Sequence, residues 1–207
     1  MNGAEYRDEE TDTEVTLGVL SAEDIKRIFD YMHEFRDKGT FSEYTDTGIM
    51  FERDDDIMLR ALKKYGAKED VTFCEKEEDM YSRPNAKIMF RLYSFDDMPL
   101  LEQYLIDHPA DFFTGYKTQG NLMEFMHPDT NKGDALKAYI KMKNYDPNDI
   151  WTFGDMTNDN TMLAAVPNGV CLCDGSDDTK AVAKYITDYG CADDGWAKFV
   201  LKTFFNE

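Results

Sequence analysis

From residue 134 onwards, short apolar runs alternate regularly with segments of helical spacing. Strands and helices in this order predict a parallel sheet whose strands are joined by right-handed crossovers. This region is therefore predicted to be part of a doubly wound α/β domain. The expected strands are Ile150–Phe153, Gly169–Cys173 and Tyr185–Thr187, and the expected helices lie near residues 134–143, 160–165, 178–183 and 196–205.

Residues 1–120 show a less regular mixture of helix and strand signals. Asp24 follows Ser21 by three positions, the pattern of a capping box, and the residues after it have an apolar helical face. Pro99 fits the first turn of a second helix that begins near Asp96. We expect an α+β domain at 1–120, a sheet faced by helices, and a second domain at 121–207. A short helix is expected at 54–66, and strands near 41–51, 87–93, 112 and 122–125.

The composition is that of a packed, acidic protein. With 42% apolar and 14% aromatic residues, the chain can form a core, which excludes a disordered chain. The formal charge of −19 repels phosphate backbones and anionic lipid headgroups, so nucleic acids and membranes are poor partners. No apolar run reaches the ~20 residues that span a bilayer, and residues 1–10 lack the pattern of a signal peptide. We expect a cytoplasmic protein.

The most informative segment is 151–160, Trp-Thr-Phe-Gly-Asp-Met-Thr-Asn-Asp-Asn. An apolar strand that ends in glycine and aspartate places the Asp155 carboxylate at the carboxyl edge of a parallel sheet, where open α/β folds bind ligands. Because Mg²⁺ prefers oxygen ligands and usually takes one or two carboxylates, Asp155 is a candidate ligand. The alternative is structural: Asp155 makes a turn, and Asn158 or Asp159 caps the next helix.

A second segment, 128–135, places Lys132 immediately before a predicted helix. In that position the ammonium group and the helix N-terminus would both favour an anion. The alternative is a solvated surface lysine, the common state of this residue type. The spacing alone leaves both interpretations open.

Taken together and in order, these segments resemble the haloacid dehalogenase-like (HAD) superfamily, and most closely its Cof-type sugar-phosphatase branch. The earlier region resembles the α/β cap domain of that branch, and Asn2-Gly3-Ala4 matches its usual entry into the cap. The resemblance implies an α+β cap with a mainly antiparallel sheet at 1–120, and the C-terminal half of a Rossmann-like parallel core at 121–207. The motifs that carry it lie at 122–128, 131–136, 154–163, 168–170 and 194–195.

The resemblance also implies a reaction, the Mg²⁺-dependent hydrolysis of phosphomonoesters through an aspartyl-phosphate. Sugar phosphates or similar small phosphorylated metabolites would be the substrates. Lys132 would hold the phosphoryl oxygens and mask the charge of the nucleophile, and Asn158 would contact the bound phosphate or substrate. Asp155 and Asp159 would be the Mg²⁺ ligands, and Asp159 would also fix its loop by hydrogen bonds.

The nucleophile motif of this family, an apolar strand followed by DxDGT, does not occur in the 207 residues. Asp54 and Asp56 have its spacing without the strand, and Asp174 follows a strand without the spacing. We therefore expect the chain alone to be a poor phosphatase or none. We also expect rearrangement, self-association or a strand-donating partner across the incomplete core. The alternatives are a non-catalytic protein that binds a ligand or partner without turnover, and a phosphosugar mutase.

Overall fold

The computed structural model describes residues 2–53, 60 and 70–205. The chain forms two compact units, residues 1–17 with 130–207 and residues 18–129, which we call the core unit and the cap unit. The predicted change of domain after residue 120 differs from this division, because the strand that follows it is hydrogen-bonded to two other cap strands. The helix expected at 54–66 lies, apart from residue 60, outside the described residues.

Eleven strands and six α-helices have their bounds within the described residues. None of these helices is long and apolar enough to cross a bilayer. The strands are β1 (Glu5–Asp8), β2 (Thr13–Thr16), β3 (Gly39–Tyr44), β4 (Gly48–Phe51), β5 (Asp70–Phe73), β6 (Lys87–Leu92), β7 (Thr114–Gln119), β8 (Leu122–Met126), β9 (Trp151–Gly154), β10 (Asn168–Cys171) and β11 (Tyr185–Ile186). The helices are α1 (Ala22–Tyr31), α2 (Met98–Asp107), α3 (Lys132–Lys143), α4 (Asn160–Ala165), α5 (Asp177–Val182) and α6 (Gly195–Val200).

The cap unit is built on a six-stranded sheet with the order β5-β4-β3-β6-β8-β7. Neighbouring strands are antiparallel, except β4 and β5, which are parallel. The expected mainly antiparallel cap sheet is therefore confirmed. The strand expected near residue 112 begins at Thr114 instead, because Phe113 is buried in the cap core and precedes the hydrogen-bonded segment.

Helix α1 packs on this sheet because its sequence specifies both its start and its apolar face. The hydroxyl of Ser21 accepts a hydrogen bond from the backbone amide of Asp24 at 3.0 Å, and the Asp24 carboxylate accepts one from the backbone amide of Ser21 at 3.3 Å. This is the expected capping box. Ile28 and Phe29 are buried, and the ring of Phe29 stacks on that of Phe41 in β3 with 4.0 Å between centroids.

Glu43 is a buried carboxyl group in β3, with an exposed fraction of 0%. It accepts hydrogen bonds from Arg83 at 2.8 Å and from the side-chain amide of Asn85 at 3.0 Å. Burial raises the pKa of Glu43, and the interactions with Arg83 and Asn85 only partly oppose this rise. The folded cap unit therefore binds a proton at Glu43 more readily than the unfolded chain does.

We expect Glu43→Gln to alter how the stability depends on pH. Because the folded-state pKa of Glu43 is raised, the stability that it contributes is fully present below the unfolded-state pKa and is lost as the pH rises through the folded-state pKa. The Tm of Glu43→Gln relative to wild type should therefore increase with pH, measured by thermal unfolding from about pH 4 to pH 8. Glu78→Gln, at an exposed glutamate, is the control. A Tm difference for Glu43→Gln that does not vary with pH would contradict the prediction.

The core unit contains a parallel sheet with the order β11-β10-β9. Helix α4 lies on one face, so close that a Cβ at Gly169 would be 2.3 Å from the carbonyl oxygen of Leu163. On the other face, Trp151 and Phe153 contact Phe199 of α6, with ring centroids 5.9 and 5.6 Å apart. Helices on both faces of parallel strands confirm the expected doubly wound arrangement. Within the described residues β9 is paired on one side only.

The core unit also contains an antiparallel hairpin, β1–β2, that the sequence pattern does not predict. Lys143 of α3 forms ion pairs with Asp8 at 2.7 Å and with Glu10 at 2.6 Å. These interactions, the hydrogen bond to Asp8 first, raise the pKa of Lys143, and the same bond lowers the pKa of Asp8. The charged residues of the hairpin thus attach it to α3.

Candidate active site

A tight turn follows β9 and contains the acidic residues of the main sequence motif. A Cβ at Gly154 would lie 2.4 Å from the Cβ of Asp159, so only glycine allows the strand to end this close to the turn. Oδ2 of Asp159 accepts hydrogen bonds from the backbone amides of Asp155 at 3.0 Å and Met156 at 3.3 Å. With an exposed fraction of 5%, Asp159 fixes the turn from inside.

Lys132 is the first residue of α3, which Asn131 caps. Its ammonium group donates a hydrogen bond to Oδ1 of Asp159 at 2.5 Å. The Lys132 side chain is 28% exposed and that of Asp159 is 7% exposed. The solvated-lysine interpretation is therefore excluded, and the ion pair brings together the two segments that the sequence motifs single out.

Asp155 is half-buried beside two other acidic side chains. Burial raises the pKa of its carboxyl group, the negative charges of Asp159 and Asp174 raise it further, and the positive charge of Lys132 opposes them. The carboxylate of Asp155 is therefore incompletely compensated. A cation placed beside it would stabilise its charged form.

The loop after β10 lies against the turn after β9. The backbone amide of Leu172 donates a hydrogen bond to the carbonyl oxygen of Gly154 at 3.0 Å, and the amide of Ser176 donates one to the carbonyl oxygen of Asp155 at 2.8 Å. The carboxyl ends of two neighbouring strands thus meet at the site, as expected for an open parallel sheet. From the sequence, Asp174 is considered only as a nucleophile and is rejected because its spacing is wrong. The apolar strand before Asp174 is the signal that could have predicted its position at this edge.

Asn158 belongs to the same turn and is half-buried. Its side-chain nitrogen, Nδ2, donates a hydrogen bond to Oδ1 of Asn2 at 3.1 Å. The sequence pattern gives no indication of this contact, because it links positions 156 residues apart. The structure therefore brings together Lys132, Asp155, Asn158 and Asp159, and adds Asn2 to them.

The geometry favours one of the two roles expected for Asp159. Oδ1 is bonded to Lys132, and Oδ2 is bonded to two backbone amides. Both carboxylate oxygens are thus engaged in holding the turn, which favours loop fixing over coordination of a metal ion. The Asp159 side chain also accepts a hydrogen bond from the amide that precedes the short helical turn at 157–159, but it makes no capping hydrogen bond to α4.

Mg²⁺ fits this site as an ion that is only partly bound by protein. The described residues contain no group of three or more His, Cys, Asp or Glu side chains that could hold a metal ion. Asp155 offers one carboxylate whose charge is incompletely compensated. Mg²⁺ usually takes one or two carboxylates and completes its coordination with water and phosphate. The described donors therefore fit Mg²⁺ through Asp155, and do not form a cage of protein ligands.

Comparisons with known proteins agree with the motifs. Residues 1–200 match the family model of the haloacid dehalogenase-like hydrolases. Over 197 residues the chain is 25% identical to a Streptococcus pyogenes protein provisionally named a phosphatase. This alignment covers 90% of the chain and 68% of the relative.

Solved structures of the family share the fold. A haloacid dehalogenase-like hydrolase from Bacteroides thetaiotaomicron is similar with a TM-score of 0.78 at 18% identity, over 98% of this chain and 74% of that one. A HAD subclass IIB sugar phosphatase is similar with a TM-score of 0.79 at 15% identity, over 97% of this chain and 72% of that one. By its motifs, its fold and its match to the family model, the chain belongs to the haloacid dehalogenase-like hydrolases.

Proposed function

We propose that the chain contributes part of a Mg²⁺-dependent phosphatase site for small phosphorylated metabolites such as sugar phosphates. The contributed residues are Lys132, Asp155, Asn158 and Asp159. The observation that carries the proposal is the 2.5 Å ion pair between Lys132 and Asp159, with Asp155 in the same turn at the end of a parallel strand. The similarity to a sugar phosphatase supports the substrate class.

Each side chain has a separate task in this proposal. Lys132 attracts the phosphoryl oxygens and offsets negative charge beside the turn, and Asp159 fixes the lysine. Asn158 binds the phosphate or the substrate through its amide. A Mg²⁺ ion held by Asp155 would neutralise phosphate charge. This would allow so acidic a protein to bind an anion.

The proposal excludes these four residues as nucleophiles. Phosphoryl transfer through an aspartyl-phosphate needs a carboxylate free to attack phosphorus. Asp159 is bonded at both oxygens, and Asp155 is assigned to Mg²⁺. No DxDGT motif occurs in the 207 residues. We therefore propose that these residues by themselves bind phosphate without efficient turnover.

We expect the chain to bind inorganic phosphate in the presence of Mg²⁺ and to hydrolyse p-nitrophenyl phosphate no faster than its Lys132→Met variant. Isothermal titration calorimetry with and without Mg²⁺ would measure the first result, and release of p-nitrophenol the second. Mg²⁺-dependent phosphate binding that is lost in Lys132→Met would support the site. Turnover that depends on Asp155 would overturn the expected inactivity.

The edge of β9 supports a further part of the proposal. Within the described residues β9 pairs only with β10, which leaves a row of backbone groups and adjoining apolar surface open to another strand. Trp196 is 53% exposed next to this strand, with its ring centroid 6.1 Å from that of Phe153. We propose self-association or a strand-donating partner at this edge.

We expect light scattering to show species larger than a monomer, in a fraction that grows with protein concentration. Association through an open strand edge follows mass action. A monodisperse monomer at high concentration would contradict this expectation.

We also propose that the protein is cytoplasmic, because its four cysteines are free thiols, the form kept in reducing compartments.

A second candidate function is ligand or partner binding without any turnover, which the missing DxDGT motif favours. Phosphate binding that needs neither Mg²⁺ nor Asp155 would support it against the phosphatase proposal. A phosphosugar mutase would need the same absent aspartates, so only an activity assay on a protein that contains them could distinguish it from a phosphatase.

A further inference from the structure

The turn at residues 2–4 lies against the segment that carries Lys132. Asn2 and Gly3 have positive φ values of 48° and 95°. A Cβ at Gly3 would lie 2.2 Å from the carbonyl oxygen of Asn131, the residue before Lys132. Glycine is therefore needed both for the backbone conformation and for this close approach.

The same turn is anchored on its other side. Ala4 has an exposed fraction of 0%, and its carbonyl oxygen accepts a hydrogen bond from the backbone amide of Leu17 at 2.7 Å. This bond closes the base of the β1–β2 hairpin, which Lys143 attaches to α3. Asn2 thus projects from a fixed piece of backbone.

Asn2 contacts the side chain for which a phosphate-binding role is proposed. Oδ1 of Asn2 accepts a hydrogen bond from Nδ2 of Asn158 at 3.1 Å. A carboxamide has an oxygen at one end and two N–H donors at the other, and a rotation exchanges them. The bond to Asn2 fixes one N–H of Asn158 and therefore selects one of the two orientations.

We propose that Asn2 is a positioning residue, which holds the carboxamide of Asn158 in the orientation that binds the phosphate group of the substrate. The inference rests on the proposed function, in which Asn158 contacts phosphate. Asn2 itself touches no reacting atom. Its effect is to remove rotational freedom from Asn158 before the ligand arrives, so that less entropy is lost on binding.

The test compares two substitutions at the same position. Asn2→Ala removes the acceptor, whereas Asn2→Asp keeps an oxygen where Asn158 needs one. The readout is the side-chain amide ¹H–¹⁵N signals of Asn158, identified by their loss in Asn158→Asp. We expect these signals to shift in Asn2→Ala and to stay close to wild type in Asn2→Asp. Asn148→Ala, at an exposed asparagine of the same unit, should leave them unchanged.

Phosphate affinity gives the second readout. Losing one neutral hydrogen bond should weaken the Mg²⁺-dependent binding of inorganic phosphate to Asn2→Ala about fivefold. Unchanged Asn158 signals in Asn2→Ala would overturn the inference and leave the proposed function standing. If the signals shift as expected while wild-type protein does not bind phosphate, Asn2 still positions Asn158 and the proposed function fails instead.

Discussion

Lys132→Met is expected to reduce the free energy of unfolding of the core unit by about 2–3 kcal/mol. The substitution keeps the apolar stem but removes the ammonium group bonded to Asp159, whose side chain is 7% exposed. Removing one partner of a fully buried pair costs about 3–5 kcal/mol, because the other charge stays buried. The 28% exposure of the Lys132 side chain lowers that figure, since water reaches the pair. Chemical denaturation would measure the loss.

The same variant should lose most of its affinity for phosphate. A charge-assisted hydrogen bond contributes about 1.5–3 kcal/mol, which corresponds to a ten- to hundredfold weaker binding. Lys137→Met is the matched control: Lys137 lies in the same helix, is 62% exposed and pairs with Asp134 on the surface. It should cost at most about 0.5 kcal/mol and leave phosphate binding intact.

A double variant separates the two effects. Lys132→Met with Asp159→Asn removes the buried charge together with its partner, and asparagine keeps an oxygen for the amides of Asp155 and Met156. Much of the lost stability should return, whereas phosphate affinity should not. If the single variant were as stable as wild type, the ion pair would not support the turn.

Asp155→Asn is expected to stabilise the protein and to abolish its response to Mg²⁺. The charged form of Asp155 is disfavoured by burial and by the neighbouring carboxylates of Asp159 and Asp174. A neutral side chain of the same shape relieves this, so we expect about 1 kcal/mol of added stability in the absence of divalent cations, the usual size for relief of one unfavourable charge. Thermal unfolding in a chelating buffer would detect it.

With Mg²⁺ the order should reverse. An ion that binds only the folded wild type stabilises it by about 2.7 kcal/mol when its free concentration is a hundred times Kd. Asp155→Asn should gain nothing, and Asp149→Asn, at an exposed aspartate of the same unit, should behave as wild type under both conditions. Equal Mg²⁺ responses of wild type and Asp155→Asn would exclude Asp155 as the ligand.

The elements that the sequence predicts well are those whose signals are local. Ser21 and Asp24 predict the start of α1 because a capping box is complete within four residues. The segment 160–165 is predicted as a helix and found as α4. The hairpin β1–β2 is missed for a physical reason: three of the four residues of β2 are exposed, so no apolar alternation marks it.

The candidate site divides in the same way. Lys132 and Asp155 stand out in the sequence because Lys132 lies at the start of a predicted helix and Asp155 follows a predicted strand. Both positions on the backbone are typical of ligand-binding residues. That Lys132 bonds Asp159 is not readable from spacing, since 27 residues separate them. The contact between Asn2 and Asn158 is still harder to predict from the sequence, because it depends on where the N-terminal turn packs.

The division of the core unit between residues 1–17 and 130–207 has a consequence for biosynthesis. Among the polar side chains described in the site, Asn2 is synthesised first, and Asn158 follows 156 residues later. The cap unit, residues 18–129, is continuous in sequence, and domains fold as units during synthesis. The cap can therefore fold before the hydrogen bond between Asn2 and Asn158 forms, and the proposed phosphate site is assembled after the cap.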